Sequence, residues 1–382
     1  MTTRHLPNGA PPRIALVAGT LGQGGAEKQL VYMARALRES GADVRVYCLT
    51  RGEYYERALA DIGLEPRWIG RFAAPPLRTL ALAAALRRFR PDIVQSAHFY
   101  TNLYVAMAAP LVGAIGIGAA RNDVVHEVQY NGRWGRWLLR APSALIVNSS
   151  AARDNAEALG RPCDAIHVLP NVIDLRAFDA SAGTMTHQVN EPLVVVGVGT
   201  FVPQKRFDVF LRVIAAARAR GASVRAVLAG DGPERAALET LAVSLGLGSD
   251  AVSFVGRRND IPALLRTADV FMLTSDHEGF PNVVLEAMAA SIPVLCTATG
   301  DARAIVEHGV TGYVTALGDA DDLTGHLLAL SRSAGDRQRL GEAGRRRVET
   351  QYAFENLASR LATIHEAVGR ARAGKRRAPM PV

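Results

Sequence analysis

The chain has little cysteine and very little lysine. Its three cysteines, Cys48, Cys163 and Cys296, are odd in number, far apart and without metal-ligand spacing. That excludes a disulfide framework and a zinc site and fits a reducing, cytoplasmic setting. Only three lysines, Lys28, Lys205 and Lys375, stand among 41 arginines. Residues 1–12 carry no apolar run ahead of the first strand-like segment, so no secretory signal is expected. Acidic and basic residues are both missing from Ile93 to Ala120, a stretch long enough to span a bilayer. Pro110, Gly113, Gly116 and Gly118 argue against a span there. A helix over 101–109 stopped by Pro110, then a buried strand over 114–119, accounts for the pattern better.

What is present describes a globular enzyme of two domains. The 382 residues are 49% hydrophobic and 21% charged, too long for one ordinary core and right for two α/β domains. The net charge is +8. Residues 1–185 hold 21 basic and 15 acidic groups, and residues 370–382 hold five basic and none acidic. Such a concentration suits anionic lipid headgroups or a phosphate-bearing acceptor. No nucleic-acid recognition motif accompanies it.

Strand-length apolar runs alternate with helical patterns: strand 13–18 with helix 26–39, strand 43–49 with helix 54–62, strand 92–95 with helix 101–109. Further strands fall at 144–148 and 166–169. This alternation predicts parallel, doubly wound sheets with helices on both faces. Residues 179–192 are polar and aperiodic and read as a linker. The rhythm restarts with strands at 193–198, 224–229, 252–255, 270–273 and 293–296. The domains are therefore expected at 1–185 and 186–353, with a last helix over 354–372 crossing back onto the first and a basic tail at 373–382.

The strongest local signal is Ser275-Asp276-His277-Glu278-Gly279-Phe280-Pro281-Asn282-Val283-Val284-Leu285-Glu286. Strand 270–273 delivers Glu278 into a loop at its carboxyl end, where open α/β sheets bind ligands. Pro281 and Asn282 mark a helix start, whose unpaired N–H groups would face a diphosphate while Glu278 and Glu286 accept hydroxyls. In the first half, Gly22-Gln23-Gly24-Gly25-Ala26-Glu27 is a glycine-rich turn between strand and helix, weak evidence alone. His98 follows the third expected strand, and Arg121 and Asn122 follow the next. Asp319-Ala320-Asp321 opens a helix, so capping explains it better than metal binding.

These residues resemble glycosyltransferase family 4 over about residues 13–352. Glu278 and Glu286 match the family's glutamates separated by seven residues. Gly199-Thr200-Phe201-Val202-Pro203-Gln204-Lys205, Leu228-Ala229-Gly230-Asp231-Gly232-Pro233, Val255-Gly256-Arg257 and Glu307-His308-Gly309-Val310-Thr311-Gly312-Tyr313 resemble its successive blocks in order and spacing. The resemblance implies the GT-B fold, two Rossmann-like domains facing a central cleft, and transfer from a UDP- or GDP-linked sugar with retention of configuration. It implies no cofactor and no metal.

Carried over residue by residue, Lys205 pairs with the donor diphosphate, Glu286 holds the ribose hydroxyls and Glu278 contacts the transferred sugar. The same resemblance makes Gly230, Asp231 and Gly232 a close-approach turn beside the nucleotide and has backbone near Arg257 read the base. Gly279, Phe280, Pro281 and Asn282 complete the phosphate-facing turn, and Gly24 and Gly25 approach the donor phosphate. Thr200 stands where the family often has Arg, which leaves Arg206 to compensate. His98, a catalytic candidate, joins Arg121 and Asn122 as candidates for acceptor contact, undecided among themselves. The acceptor is expected to be a glycan or a polyprenyl-diphosphate-linked glycan in cell-surface polysaccharide synthesis, met at the inner membrane face. An NAD(P)-dependent oxidoreductase and a catalytically inactive nucleotide-sugar-binding protein are the competing expectations. The first predicts a Gly-x-Gly-x-x-Gly and an acid closing the second strand, where the chain has Leu49-Thr50-Arg51.

Overall fold

The computed structural model describes residues 11–183 and 192–377. Most of the expected linker at 179–192, and the last five residues of the tail, lie outside them. The chain divides into two compact units, residues 1–172 with 354–382, and residues 173–353.

The first unit is built on seven strands: β1 (Arg13–Ala18), β2 (Asp43–Cys48), β3 (Arg67–Trp68), β4 (Ile93–Ser96), β5 (Ile115–Ala120), β6 (Ala144–Val147) and β7 (Ile166–Val168). They run parallel in the order β3-β2-β1-β4-β5-β6-β7. Ile14 sits in register with Val44 on one side and Ile93 on the other. The strand order therefore reverses beside β1, which makes the carboxyl ends of β1 and β4 the switch point where such sheets take ligands. Helices cover both faces, so β1 and β6 are nearly continuous buried apolar runs, and β4 is buried throughout with Gln95 and Ser96 at its carboxyl end. One face is closed by the last helix, Leu357–Arg377, which sinks Leu357, Leu361, Ile364 and Val368 among Leu16, Leu30, Met33 and Ile117.

The second unit has six parallel strands: β8 (Leu193–Val198), β9 (Val224–Ala229), β10 (Val252–Gly256), β11 (Val270–Leu273), β12 (Val294–Thr297) and β13 (Gly312–Thr315). Their order is β10-β9-β8-β11-β12-β13. Its switch point lies between β8 and β11.

Several features differ from the sequence expectation, among them β13 and the helices Val124–Tyr130 and Gly135–Arg140, which it did not place. Helix Leu175–Ala182, expected in the first domain, belongs to the second unit: Leu175, Phe178 and Ala182 pack with Val194 and Leu264, and Asp179 is gripped by Arg345 (2.8 and 2.9 Å) and Arg266 (2.8 Å). Pro110 does not stop its helix, which runs from Asn102 to Leu111; it falls in the last turn, where a break costs little. Helix Pro75–Phe89 was unmarked because its Leu and Ala residues are spread around the axis, and β3 is too short and exposed to show alternation. Among the described residues no helix is long and apolar enough to cross a membrane; the uncharged stretch 93–120 is β4, a helix and β5. All three cysteines are free.

Candidate functional site

In the second unit the residues singled out from sequence converge at the ends of β8 and β11. Lys205 closes a short turn after β8, and its ammonium donates to Glu278 Oε1 at 2.5 Å. Ser275 Oγ donates to the same carboxylate oxygen at 2.8 Å. Thr274 Oγ1 bonds the carbonyls of Lys205 (3.1 Å) and Arg206 (2.9 Å), and Asp276 N–H bonds Gln204 O (2.9 Å). The two loops are thus stitched along their backbones, so the Lys205 and Glu278 side chains meet by construction.

Arg206 adopts a left-handed backbone (φ 51°) and caps the helix that follows. Its guanidinium is committed to Asp208 (2.9 and 3.2 Å) and Asp276 (3.0 Å). Those hydrogen bonds raise its pKa further, so it stays charged but already balanced. Thr200 is exposed, which leaves Lys205 as the less compensated cation of this turn.

After Glu278 the chain turns through Gly279 and the buried Phe280, which meets Tyr352 edge to face, into helix Asn282–Ala289. Pro281 stands at the N-cap and offers no side-chain acceptor, so the positive end of that helix dipole follows the acidic loop directly. Glu286 lies one turn in, half-buried. Gly230, at φ 152°, passes so close to Gly199 that a Cβ there would lie 1.8 Å from its carbonyl oxygen. Asp231 accepts from Gly232 N–H at 2.9 Å, and Arg257 is exposed after β10.

Ser275 was quoted in the Glu278 stretch but not chosen as a site residue, and Gly300 was missed. Gly300 (φ 49°) sits against the acidic loop, where a Cβ would meet Glu278 O at 2.4 Å and Gly279 O at 2.7 Å. Only its place after β12, beside β11, could have signalled it.

In the first unit His98 follows β4 and is held at both ring nitrogens. Nδ1 accepts from Gly19 N–H at 3.1 Å, so Nε2 carries the hydrogen and donates it to Glu27 Oε1 at 3.2 Å. Tyr100 stacks on the ring at 5.5 Å. Glu27, quoted in the glycine-rich turn but not chosen as a site residue, is buried, and Gly24 and Gly25 open the helix that carries it.

Glu53, also missed, clamps that turn. It accepts from Leu21 N–H, from Thr20 Oγ1 at 2.9 Å and from Thr50 Oγ1 at 2.5 Å. Burial works against its charge, but these donors win and hold the carboxyl below its ordinary range.

Arg121 projects from the end of β5 onto Asn171 Oδ1 (3.1 Å) and Met33 Sδ (3.1 Å), with its Nε unpartnered. Burial without a carboxylate lowers its pKa to about 10. Asn122 beside it is exposed. Glu127 lies near enough to feel His98 and His126, and burial pushes its carboxyl up. Asp319 of the Asp-x-Asp caps its helix, accepting from Asp322 N–H at 2.9 Å.

Two parallel, doubly wound α/β units, the second carrying a Lys–Glu pair ahead of helix Asn282–Ala289, have the architecture of the GT-B glycosyltransferases. Residues 23–177 match the profile of glycosyltransferase family 4, and residues 186–347 that of the glycosyl transferases group 1. The lipopolysaccharide core biosynthesis glycosyltransferase LpsE of Rhizobium meliloti is 33% identical over 341 residues, 87% of this chain and 93% of that protein. N-acetyl-alpha-D-glucosaminyl L-malate synthase of Bacillus anthracis is 28% identical over 299 residues, 77% of this chain and 72% of its own. Among solved structures, Anabaena Alr3699/HepE in complex with UDP and glucose superposes with a TM-score of 0.82 at 21% identity, covering 93% of this chain and 100% of that one. The chain belongs to glycosyltransferase family 4. It is an enzyme of that class, and the oxidoreductase alternative falls.

Proposed function

We propose that this glycosyltransferase takes a UDP- or GDP-linked hexose on its second unit and transfers it, with retention, to a lipid-linked glycan of a cell-surface polysaccharide. The observation that carries the reading is the Lys205–Glu278 pair at the mouth of helix Asn282–Ala289. A diphosphate entering there exchanges one carboxylate partner of Lys205 for its own oxygens. Glu278, released from the ammonium but still bonded by Ser275, turns to the hydroxyls of the transferred sugar. Glu286, one turn along the helix, takes the ribose hydroxyls.

Departure of the diphosphate builds negative charge on its bridging oxygen, which Lys205 and the helix amides stabilise without a metal or cofactor. The same oxygen accepts the proton of the attacking hydroxyl on the face it leaves, which preserves the anomeric configuration. In the first unit neither nitrogen of His98 is open to act as a base. It positions Glu27 and the Gly19 turn, and Glu27, Arg121 and Asn122 receive the acceptor. The relatives support the substrate classes: LpsE is a lipopolysaccharide core biosynthesis glycosyltransferase, and HepE was solved with UDP and glucose.

Titration calorimetry with UDP- and GDP-sugars, then NMR of the product anomer, tests this reading. Binding of one donor and a product with the donor's configuration are expected. An inverted product, or donor binding indifferent to Lys205→Ala, overturns it.

A further inference from the structure

In the first unit, the segment from Val124 to Arg140 folds as helix Val124–Tyr130, a single turn, and helix Gly135–Arg140. Its inner side chains, Val124, Val128, Leu138 and Leu139, are buried against Phe99, Leu145 and Val147 and fix it to the sheet. Its outer face has a different composition. Tyr130 is 83% exposed, Trp134 59% and Trp137 37%. The two indoles lie edge to face at 6.4 Å, and the Arg133 guanidinium sits 5.8 Å from the Trp134 ring. Arg133 and Arg136 are exposed, and neither makes an ion pair among the described residues.

Two of the chain's three tryptophans are thus spent on a solvent-facing surface. A contiguous exposed aromatic patch of this kind marks an interaction surface. The segment carries three arginines against one acid, Glu127, which is half-buried. Indole and phenol rings combined with unpaired arginines match the headgroup zone of an anionic bilayer, where the rings enter the interface and the guanidiniums meet phosphates.

We infer that the Tyr130–Arg133–Trp134–Arg136–Trp137 face is the surface by which the first unit docks on anionic phospholipid. The inference rests on the proposed lipid-linked acceptor, because docking here brings the acceptor-handling unit to the surface where such an acceptor is anchored. Positive charge draws the protein to the membrane and the aromatic rings hold it. Binding should therefore need both and should weaken with salt.

The test is flotation of the full chain with phosphatidylglycerol–phosphatidylcholine vesicles and with pure phosphatidylcholine vesicles, at low and high salt. Wild type should float with the anionic vesicles at low salt only. Each arginine near such a surface contributes about fivefold in binding, so R133E/R136E should lose at least about 25-fold, and W134S/W137S should lose binding with an unchanged melting temperature. In a Trp68→Phe background, the emission of Trp134 and Trp137 should shift blue on anionic vesicles and be quenched by brominated lipid. Wild-type flotation unaffected by either double variant, with no quenching, overturns the assignment of this face while leaving membrane binding intact. Failure of wild type to bind any anionic vesicle overturns the membrane reading as well. A concentration-dependent dimer abolished by W134S/W137S would assign the face to a second copy and overturn the inference.

Discussion

At Lys205 the ammonium and its partner carboxylate on Glu278 are 21% and 12% exposed, a pair shielded from bulk water but reachable by a ligand. Removing the cation leaves the shielded Glu278 carboxylate with Ser275 as a remaining partner, so the stability cost should exceed the roughly 0 to 1 kcal/mol of a surface pair. Its removal should cost much more in rate, because the ammonium acts on charge that develops only as the sugar leaves. For Lys205→Ala we expect kcat to fall by about 10²- to 10³-fold, ~3 to 4 kcal/mol in the barrier, in protein that still folds but melts at a lower temperature. Turnover within a few-fold of wild type at saturating donor would remove Lys205 from the chemistry. Glu53 offers a contrasting case, since its carboxylate orders a loop through Thr20, Leu21 and Thr50. Glu53→Gln should keep part of the bonding to Leu21 and Thr20 but lose the charge, so KM for the acceptor should rise more than kcat falls. An unaltered acceptor KM would show that the glycine-rich turn holds without it. Lys205, Glu278 and Glu286 were legible in the sequence because their spacing is local and repeats a family pattern. Glu53 was not, since its partners Thr20 and Leu21 lie more than thirty residues away and meet it only through the pairing of β1 with β2.

Among elements, the loop after β12 has a role that no motif marks. Gly300 lets it lie against the carbonyls of Glu278 and Gly279, and Thr297 Oγ1 donates to Ser275 O at 2.6 Å from the same side. A methyl group at Gly300 must displace backbone, and the positive φ adds strain. Gly300→Ala should therefore lower donor affinity and turnover together, read by calorimetry and initial rates. Normal donor binding in that variant would mean that the loop gives way freely. The helix Leu357–Arg377 brings His365 Nε2 to Gln95 Oε1 at 2.9 Å. Burial, with His167 nearby, lowers the pKa of His365 to about 4. An unfolded histidine titrates near 6.5, so the unfolded chain binds the proton first. The contribution of His365 is complete above pH 6.5 and is lost as pH falls toward about 4. The melting temperature of the first unit should drop across that window, and His365→Gln should flatten the drop. A parallel profile in the variant would place the acid sensitivity elsewhere. Strand and helix alternation predicted most of these elements, because burial on both faces leaves long apolar runs. It failed where the pattern is weak, at β3, and where a tertiary contact outweighs local sequence, as Asp179 with Arg345 and Arg266 does for helix Leu175–Ala182.

For the whole molecule, the first unit is discontinuous and the second is not. The buried apolar row Leu357, Leu361, Ile364 and Val368 completes the first core, and Gln29 ties the end of that unit by bonding Val172 at both its carbonyl (2.7 Å) and its amide (3.0 Å). Each buried leucine or isoleucine side chain contributes about 1.5 to 3 kcal/mol, so losing the row exceeds the margin of an ordinary domain. A chain ending at Ala353 should show one calorimetric transition, from the second unit, where the full chain shows two. Two transitions in the truncated protein would mean that the first core closes without the helix.

The ends of the second unit are neighbours: Ile173 N–H bonds Tyr352 O at 2.9 Å, and Ile173 bridges Ala353. On the ribosome this fixes an order of maturation. Everything between those neighbours can collapse into its native form once translated, while the earlier half waits, with its apolar face uncovered, for residues made after Ala353. Chaperones that shelter nascent chains should therefore dwell on the N-terminal portion until late in synthesis, and codon changes that slow elongation after position 353 should lengthen that dwell.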